Sequence, residues 1–273
     1  MQEICDQYAV WGNPIEHSLS PQIQMAFAKV TGQNILYTKR LGSLEHFEQE
    51  LFAFFQEGAK GCNITAPFKQ RAFALADLHS ERCLRAKSCN TLKKLANGQL
   101  YADNTDGIGL VNDLSRLNWL HPHQKILILG AGGATQGVLY PLLQAEQQIF
   151  IANRNMDKAQ NLVNDFQDLG SLKAITFNDI PTYHFDLCIN ATSLGLNGED
   201  FTLLGEWVRE IPYFYDMQYK LHGETPFIKK LKSYQITNYA DGLGMLLAQG
   251  AESFGLWRNV TVDYTTILKE LQK

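Results

Sequence analysis

The feature that most constrains this fold is a run of twenty residues without a charged side chain, 126–145. A run of that length can span a bilayer as a helix. However, Gly130, Gly132 and Gly133 interrupt it, and Pro141 follows. The pattern divides into a short strand, a glycine-rich turn and a helix, so it predicts the start of an α/β unit rather than a membrane helix.

Strand-like and helix-like segments alternate along the chain, which is typical of an α/β protein with parallel sheets. A new strand at 148–152 completes a βαβ unit with the run described above. Ser20 is predicted to be the N-cap of a helix whose first residue is Pro21. Further strands are predicted at 8–11, 35–39, 61–65, 173–177, 187–191 and 213–217, and further helices at 44–57, from Pro67, at 243–254 and at 262–271.

The length of 273 residues exceeds the usual size of one domain, about 150 residues, so we expect two. Residues 1–104 are predicted to form an open α/β domain, and residues 241–273 are predicted to pack back on it as part of the same domain. Residues 105–240 are predicted to form a Rossmann-type domain around the βαβ unit.

Charge and cysteine content limit the kinds of ligand that this chain is expected to bind. The 24 Lys and Arg residues against 28 Asp and Glu residues give a net charge of −4, so we expect small-molecule ligands and neither nucleic acid nor a membrane surface. The five cysteines are odd in number and contain no C-x-x-C pair, so neither a disulfide framework nor a metal site is predicted. The N-terminal residues do not resemble a targeting signal, and we expect a cytoplasmic location.

The glycine-rich turn, Gly130, Ala131, Gly132, Gly133, Ala134 and Thr135, predicts a nucleotide site. Small residues let the backbone approach a pyrophosphate, and the N-terminus of the following helix offers free N–H groups. An NAD site usually has a carboxylate after the second strand, but this chain has Asn153 and Arg154, with Lys158 one turn later. Cations there favour the 2′-phosphate of NADP. The alternative is that Arg154 and Lys158 are solvated residues at a helix start.

Several polar motifs lie at strand ends, where open α/β sheets bind ligands. Their hydroxyls, amides and charged groups are suited to a polyhydroxylated small molecule. The motifs are Gly12-Asn13-Pro14 with His17-Ser18-Leu19-Ser20-Pro21, Asn63-Ile64-Thr65-Ala66-Pro67-Phe68-Lys69, Asn90-Thr91 and Asp103-Asn104-Thr105-Asp106-Gly107.

Together these motifs resemble those of the shikimate dehydrogenase family, from Tyr8 to Phe254. The resemblance implies a substrate domain, an NADP-binding Rossmann domain and a cleft between them. It also implies reversible reduction of 3-dehydroshikimate to shikimate in aromatic amino-acid biosynthesis. An alternative within the family is a quinate/shikimate dehydrogenase with dual substrate or NAD use. A second alternative is a non-catalytic NADP-sensing regulator of the same fold.

The resemblance also assigns residues to roles. It implies that Lys69 and Asp106 are catalytic. The substrate-binding residues it implies are Ser18, Ser20, Thr65, Lys69, Asn90, Asp106, Tyr219 and Gln249. The cofactor-binding residues it implies are Gly130, Ala131, Gly132, Gly133, Ala134, Thr135, Asn153, Arg154, Lys158, Thr192, Ser193, Met217 and Gly242.

The chemistry of the reaction agrees with the roles of Lys69 and Asp106. Hydride addition to a ketone creates an alkoxide, which needs a proton donor within hydrogen-bond reach. Lys69 could donate that proton while Asp106 orients the lysine and the reacting hydroxyl, or Lys69 could serve mainly to bind substrate. The alternatives without a catalytic role are that Lys69 is a solvated lysine and that Asp106 caps a helix. Sequence leaves the oligomeric state open between monomer and homodimer.

Overall fold

The structure, a computed structural model, describes residues 5–195 and 201–271, and the chain divides into two units. The first unit comprises Met1–Gly109 and Leu247–Leu271, and the second comprises Leu110–Leu246. The predicted limits, after residues 104 and 240, lie a few residues before these divisions. The assignment of substrate to one unit and of cofactor to the other remains a prediction.

The first unit contains a six-stranded mixed sheet with the strand order β2-β1-β3-β5-β6-β4. Its strands are β1 (Asp6–Gly12), β2 (Ile35–Leu41), β3 (Gly61–Ile64), β4 (Leu78–His79), β5 (Thr91–Lys94) and β6 (Leu100–Asp103). The predicted parallel pairing holds for β1 with β2 and for β1 with β3. It is wrong for β5, which pairs antiparallel with both β3 and β6.

The unpredicted hairpin of β5 and β6 has an ordinary local cause. Asn97 and Gly98 lie between the two strands, and an Asn-Gly pair is a strong hairpin signal. Gly98 adopts a φ of +89°, which a side chain would disfavour. The turn is closed by Leu95, whose carbonyl accepts from the Gly98 N–H at 2.9 Å.

Four helices connect or flank these strands: α1 (Ser20–Thr31), α2 (Phe47–Gln56), α3 (Lys69–Leu75) and α4 (Glu81–Ala86). The N-cap of α1 is Leu19, so the prediction of Ser20 as the N-cap is wrong by one residue. Helix α3 begins at Lys69 rather than at Pro67, because Thr65 and Phe68 first form a turn, with 3.0 Å between the Thr65 carbonyl and the Phe68 N–H. Lys69 therefore lies in the first turn of α3.

The second unit contains six parallel strands in the order β12-β11-β10-β7-β8-β9. Read from β9, this is the order 3-2-1-4-5-6 of a dinucleotide-binding fold. Helix α5 (Asp106–Arg116) begins in the first unit and continues into the second. The other elements are β7 (Lys125–Leu129), α6 (Gly133–Gln144), β8 (Gln148–Ala152), α7 (Met156–Phe166), β9 (Leu172–Ile175), β10 (Leu187–Asn190), β11 (Tyr213–Asp216), α8 (Pro226–Ser233) and β12 (Tyr239–Ala240), with 3₁₀ turns at Phe177–Thr182 and Glu206–Glu210.

The uncharged run at 126–145 forms β7, the glycine turn and α6, as its pattern predicts. Ile126, Ile128, Val138 and Leu142 from this run are fully buried in one apolar cluster. No helix in residues 5–195 and 201–271 is long and apolar enough to cross a membrane. The chain ends with α9 (Leu243–Arg258) and α10 (Thr265–Leu271).

Candidate active site

Lys69 and Asp106 form an ion pair in the first unit. Each is the first residue of its helix, α3 or α5, and the two helix starts bring the side chains together. Lys69 Nζ lies 2.5 Å from Asp106 Oδ2. The side chains of Lys69 and Asp106 are 32% and 21% exposed, so the pair is accessible to a ligand and to proton exchange.

Asn90 holds the second oxygen of Asp106. Asn90 Nδ2 donates to Asp106 Oδ1 at 2.8 Å, while Asn90 Oδ1 accepts from the Thr105 backbone N–H at 2.9 Å. Because a backbone N–H can only donate, it fixes which end of the Asn90 amide faces Asp106. Both oxygens of the predicted catalytic carboxylate are therefore oriented by neighbours.

Gln249 joins this cluster from helix α9. Its Oε1 accepts from Asn90 Nδ2 at 3.1 Å. The close approach of the helix requires a glycine at 109, since a Cβ there would come within 2.7 Å of the Gln249 Cβ. Ser253, one turn later on the same helix, lies 3.1 Å from the Thr105 hydroxyl and 2.7 Å from the Thr91 hydroxyl. Ser253 is not among the residues predicted from sequence, although its position four residues after Gln249 places it on the same helix face.

The two predicted carboxylate-binding serines are neighbours. Ser18 Oγ donates to Ser20 Oγ at 3.2 Å, at the start of α1. Thr65 follows β3 directly, next to the end of β1. Its backbone N–H donates to the Trp11 carbonyl at 2.8 Å, which fixes it at the edge of the sheet where parallel strands end.

Tyr219 lies in the second unit, after β11, unlike the other predicted substrate residues. It is half-buried, and burial raises the pKa of its phenol above the ordinary 10.0, with a further contribution from the charge of Asp241. The phenol therefore remains a neutral hydrogen-bond donor at physiological pH. Its role in substrate binding remains a prediction.

The second unit has a cavity of about 520 Å³ at the carboxyl ends of its strands. The cavity lies where the strand order reverses between β7 and β10, which is the usual ligand position in open α/β sheets. Ten of the thirteen predicted cofactor residues line it: Gly130, Ala131, Gly132, Gly133, Ala134, Asn153, Arg154, Lys158, Thr192 and Ser193.

The glycine turn leaves room for a phosphate group. Gly130 has a φ of +103°, a conformation that L side chains rarely adopt. A Cβ at Gly132 or Gly133 would point into open space, so the absent side chains leave a cradle over the start of α6. The first N–H groups of a helix lack partners within the helix and can bind an anion. The turn therefore fits a pyrophosphate.

The end of β8 is cationic, as the sequence indicates. Arg154 and Lys158 are exposed and both line the cavity, and Asn153 Nδ2 donates to the Asn155 carbonyl at 2.7 Å. Asn155 caps helix α7 by accepting from the Lys158 N–H. Arg154 precedes α7 and Lys158 lies in its first turn, and binding of an adenosine 2′-phosphate by both remains a prediction.

Three predicted cofactor residues do not line this cavity. Thr135 is buried, and its hydroxyl donates to the Gly130 carbonyl at 2.8 Å, so its side chain stabilises the turn. Met217 and Gly242 lie against each other beyond β11, since a Cβ at 242 would come within 2.8 Å of the Met217 carbonyl carbon. Contacts of these three residues with a cofactor remain predictions.

Six further residues line the cavity and are not among those predicted from sequence. One of them, Ala191, follows β10 directly, which is the signal that could have identified it. The six are Asn155, Phe177, Ala191, Leu194, Thr202 and Leu203. Within residues 5–195 and 201–271, no group of three or more His, Cys, Asp or Glu residues is placed to hold a metal ion.

Three family models match the chain. "Shikimate dehydrogenase substrate binding domain" matches residues 10–92, "Shikimate / quinate 5-dehydrogenase" matches 115–197, and "Shikimate 5'-dehydrogenase C-terminal domain" matches 242–272. The first of these covers β2, β3 and β4 and parts of β1 and β5. The second covers the glycine turn and the cationic segment after β8.

Individual relatives agree with these matches. The chain is 56% identical over 268 residues to "Shikimate dehydrogenase (NADP(+))" of Glaesserella parasuis, with 98% of each chain covered. It is similar to the crystal structure of an Ael1 enzyme from Pseudomonas putida, with a TM-score of 0.91, 41% identity and 98% coverage of each chain. It is also similar to shikimate 5-dehydrogenase from Thermus thermophilus in complex with NADP(H) and shikimate, with a TM-score of 0.83, 28% identity and 98% coverage of each chain.

Proposed function

Since the chain belongs to the shikimate dehydrogenase family, we propose that it catalyses the reversible NADPH-dependent reduction of 3-dehydroshikimate to shikimate, a step in aromatic amino-acid biosynthesis. The observation that supports this most directly is the Lys69–Asp106 pair, at 2.5 Å, with Asn90 on the second carboxylate oxygen. This arrangement offers one proton donor and one oriented acceptor, as ketone reduction and alcohol oxidation require.

Each residue has a distinct task in the proposed reaction. When bound, NADPH supplies the hydride that adds to the carbonyl carbon of the substrate. Lys69 Nζ then donates a proton to the oxygen, so that the alkoxide becomes a hydroxyl, and in the oxidation it takes the proton back. Asp106 holds the Lys69 ammonium near the oxygen by Coulomb attraction, and it accepts a hydrogen bond from a substrate hydroxyl.

We also propose how the substrate is held. Ser18 and Ser20 bind the carboxylate of shikimate by donating hydrogen bonds from their hydroxyl groups. The remaining substrate residues, Thr65, Lys69, Asn90, Asp106, Tyr219 and Gln249, bind its hydroxyls and the reacting oxygen. The mutual contacts of Asn90, Asp106 and Gln249 support this proposal. Because these side chains are already ordered, their ordering costs little free energy when the ligand binds.

For the cofactor, we propose that the glycine turn binds the pyrophosphate and that Asn153, Arg154 and Lys158 bind the adenosine 2′-phosphate. Thr192, Ser193, Met217 and Gly242 are proposed to contact the nicotinamide half. The cationic lining supports NADP rather than NAD. The open space over Gly132 and Gly133 supports binding of the pyrophosphate, which both cofactors contain.

Initial rates of the purified protein with shikimate and with quinate, each against NADP and NAD, test this function. We expect turnover with shikimate and NADP to exceed every other combination. Comparable rates with quinate would instead indicate a quinate/shikimate dehydrogenase. NADP binding without turnover on either substrate would indicate the non-catalytic regulator.

Finally, we propose that the protein works in the cytoplasm, as a monomer or a homodimer. All five cysteines lie within the described residues and are free thiols, which agrees with a reducing compartment. Sedimentation of the purified protein measures the oligomeric state.

A further inference from the structure

Two segments of the second unit are proposed to contact the nicotinamide half of the cofactor. One contains Thr192 and Ser193, after β10, and the other is formed by Met217 and Gly242, beyond β11. A side chain that is not among those predicted from sequence joins them. It is Gln218, which is half-buried and follows Met217 directly. Gln218 is not one of the described residues that line the cavity, so its effect on a ligand there passes through its neighbours.

The side-chain amide of Gln218 holds the 192–194 segment at both ends. Gln218 Nε2 donates to the Thr192 carbonyl at 2.9 Å and to the Leu194 carbonyl at 3.1 Å. The NH₂ group has two protons, so it can donate one to each carbonyl. Because carbonyls can only accept, they also fix which end of the amide faces them. Ser193, which lines the cavity, lies between the two anchored residues.

The main chain of Gln218 is bonded to the end of β11 and to the start of the second segment. Its N–H donates to Asp216 Oδ1 at 3.1 Å, and its carbonyl accepts from the Gly242 N–H at 2.9 Å. The same Asp216 oxygen accepts from Asn190 Nδ2 at 2.8 Å. The Met217 N–H donates to the Asn190 carbonyl at 3.0 Å. Gln218 is therefore held in place while its amide reaches the 192–194 segment.

The 192–194 segment has a second set of bonds, to the end of β10. Asn190 Oδ1 accepts from the Thr192 N–H at 3.1 Å and from the Thr192 hydroxyl at 2.8 Å. The Leu194 N–H donates to the Thr192 hydroxyl at 3.3 Å. These bonds use the N–H groups of the two residues, whereas Gln218 binds their carbonyls. Removing the Gln218 amide therefore releases the carbonyl side of the segment and leaves the N–H side anchored.

We propose that Gln218 is a positioning residue for the nicotinamide half of the cofactor, acting through the 192–194 segment. This inference rests on the proposed function, in which Thr192 and Ser193 contact that half of NADP. A segment that is already ordered binds its ligand at a lower cost in conformational free energy. The adenosine half is proposed to depend on Arg154 and Lys158 instead. The two halves should therefore respond differently to a change at Gln218.

The variant Gln218→Met removes both donors and retains an unbranched side chain of similar length. We expect the Kd for NADP to rise about tenfold, which corresponds to about 1.4 kcal/mol. The Kd for adenosine 2′,5′-bisphosphate should stay within about twofold of wild type, because this compound has the 2′-phosphate and no nicotinamide. Isothermal titration calorimetry measures both constants. An unchanged Kd for NADP, or an equal rise for both ligands, would overturn the proposal.

Gln147→Met is a matched control in the same unit. Gln147 Nε2 also donates to two backbone carbonyls, those of His121 at 3.0 Å and Ala145 at 2.5 Å. Gln147 directly precedes β8, so it lies at the amino ends of the strands, opposite the cavity. Both Kd values should stay within about twofold of wild type in this variant. A rise for NADP equal to that in Gln218→Met would show general loosening of the unit and would overturn the inference.

A second variant covers the case in which Gln218→Met does not fold. Gln218→Glu replaces the NH₂ group by an oxygen and keeps the shape of the side chain. At pH 8 the carboxylate cannot donate, and it repels the two carbonyls that Gln218 binds. The Kd for NADP should therefore rise at least tenfold, while the Kd for adenosine 2′,5′-bisphosphate stays constant. A normal Kd for NADP in Gln218→Glu would contradict the proposal.

Failure of the proposed function is a different result, because wild-type protein would then show no turnover with shikimate and NADP. The calorimetric comparison does not depend on turnover. It therefore tests the role of Gln218 separately from the reaction.

Discussion

The two candidate ligand sites of this chain are built in different ways. In the first unit, the residues around Lys69 and Asp106 are side chains that bond to one another, from four separate elements. In the second unit, the cavity is lined by the backbone of a glycine turn, by the exposed cations Arg154 and Lys158, and by other side chains such as Phe177. The first is a preorganised network of side chains, whereas the second is a cavity beside a glycine turn.

Because of this difference, we expect substitutions to affect the two sites in different ways. In the network, one substitution leaves several buried partners without a hydrogen bond, so its effect spreads to neighbours. In the cavity, Gly132 and Arg154 contact solvent rather than each other, so substitutions should act separately on the ligand. We therefore expect large, coupled losses in the first unit and smaller, cofactor-specific losses in the second.

The largest effect is expected for Lys69→Ala. Loss of a positioned proton donor should lower kcat about a thousandfold, with a small change in the KM for shikimate. Steady-state kinetics in both directions measure it. Arg71→Ala is the matched control, because Arg71 lies on the same helix and its Nε donates to Glu48 Oε1 at 2.6 Å, away from Asp106. A rise in KM with normal kcat would instead assign Lys69 to binding, and unchanged constants would exclude both roles.

A buried carboxylate in the second unit provides the next test. Asp216 is fully buried, its Oδ1 accepts from Asn190 Nδ2 at 2.8 Å, and burial raises its pKa to about 6. The folded protein therefore holds this proton more tightly than the unfolded chain does. Stability should fall as pH rises from about 4 to 6 and stay level above, by about 3 kcal/mol in total from this group.

Asp216→Asn should remove that fall, because the amide keeps an acceptor and carries no charge. The measurement is the free energy of unfolding of both proteins between pH 4 and 8. Asp157→Asn, an exposed carboxyl on α7, serves as the control. A difference between wild type and Asp216→Asn that does not vary with pH would contradict the prediction.

Arg154→Asp should affect the cofactor alone. Replacing a cation by a carboxylate beside the proposed 2′-phosphate should raise the KM for NADP about fiftyfold, while the KM for NAD stays within about threefold. Lys229→Asp, an exposed charge reversal on α8, controls for net charge. Equal losses for NADP and NAD would contradict the assignment of the phosphate site.

The smallest effect is expected at the glycine turn. Gly132→Ala should raise the KM for NADP about threefold and Gly132→Val about tenfold, because each added methyl group enters the space of the pyrophosphate. Unfolding of both variants should match wild type, since a Cβ at this residue would have no heavy atom within 4 Å. Constant KM values across the series would show that the phosphate is bound elsewhere.

The second unit was largely predictable from sequence. Apolar periodicity and the glycine turn located β7, α6 and β8, and the missing carboxylate after β8 indicated NADP. These are local signals, because strand, turn and helix propensities depend on neighbours in the chain. In the first unit, the hairpin of β5 and β6 was missed, although the Asn97-Gly98 pair was a usable signal.

Sequence determined the two-part α/β organisation, the glycine turn and the polar motifs that carry the family resemblance. Only the tertiary structure decided which of those polar groups bond to each other. Asn90 and Gln249 are 159 positions apart, and Tyr37 on β2 bonds to Asn63 on β3, although β1 lies between these two strands. Such partnerships depend on strand order and helix packing, and no local pattern encodes them, because a hydrogen bond is decided by distance and direction in space.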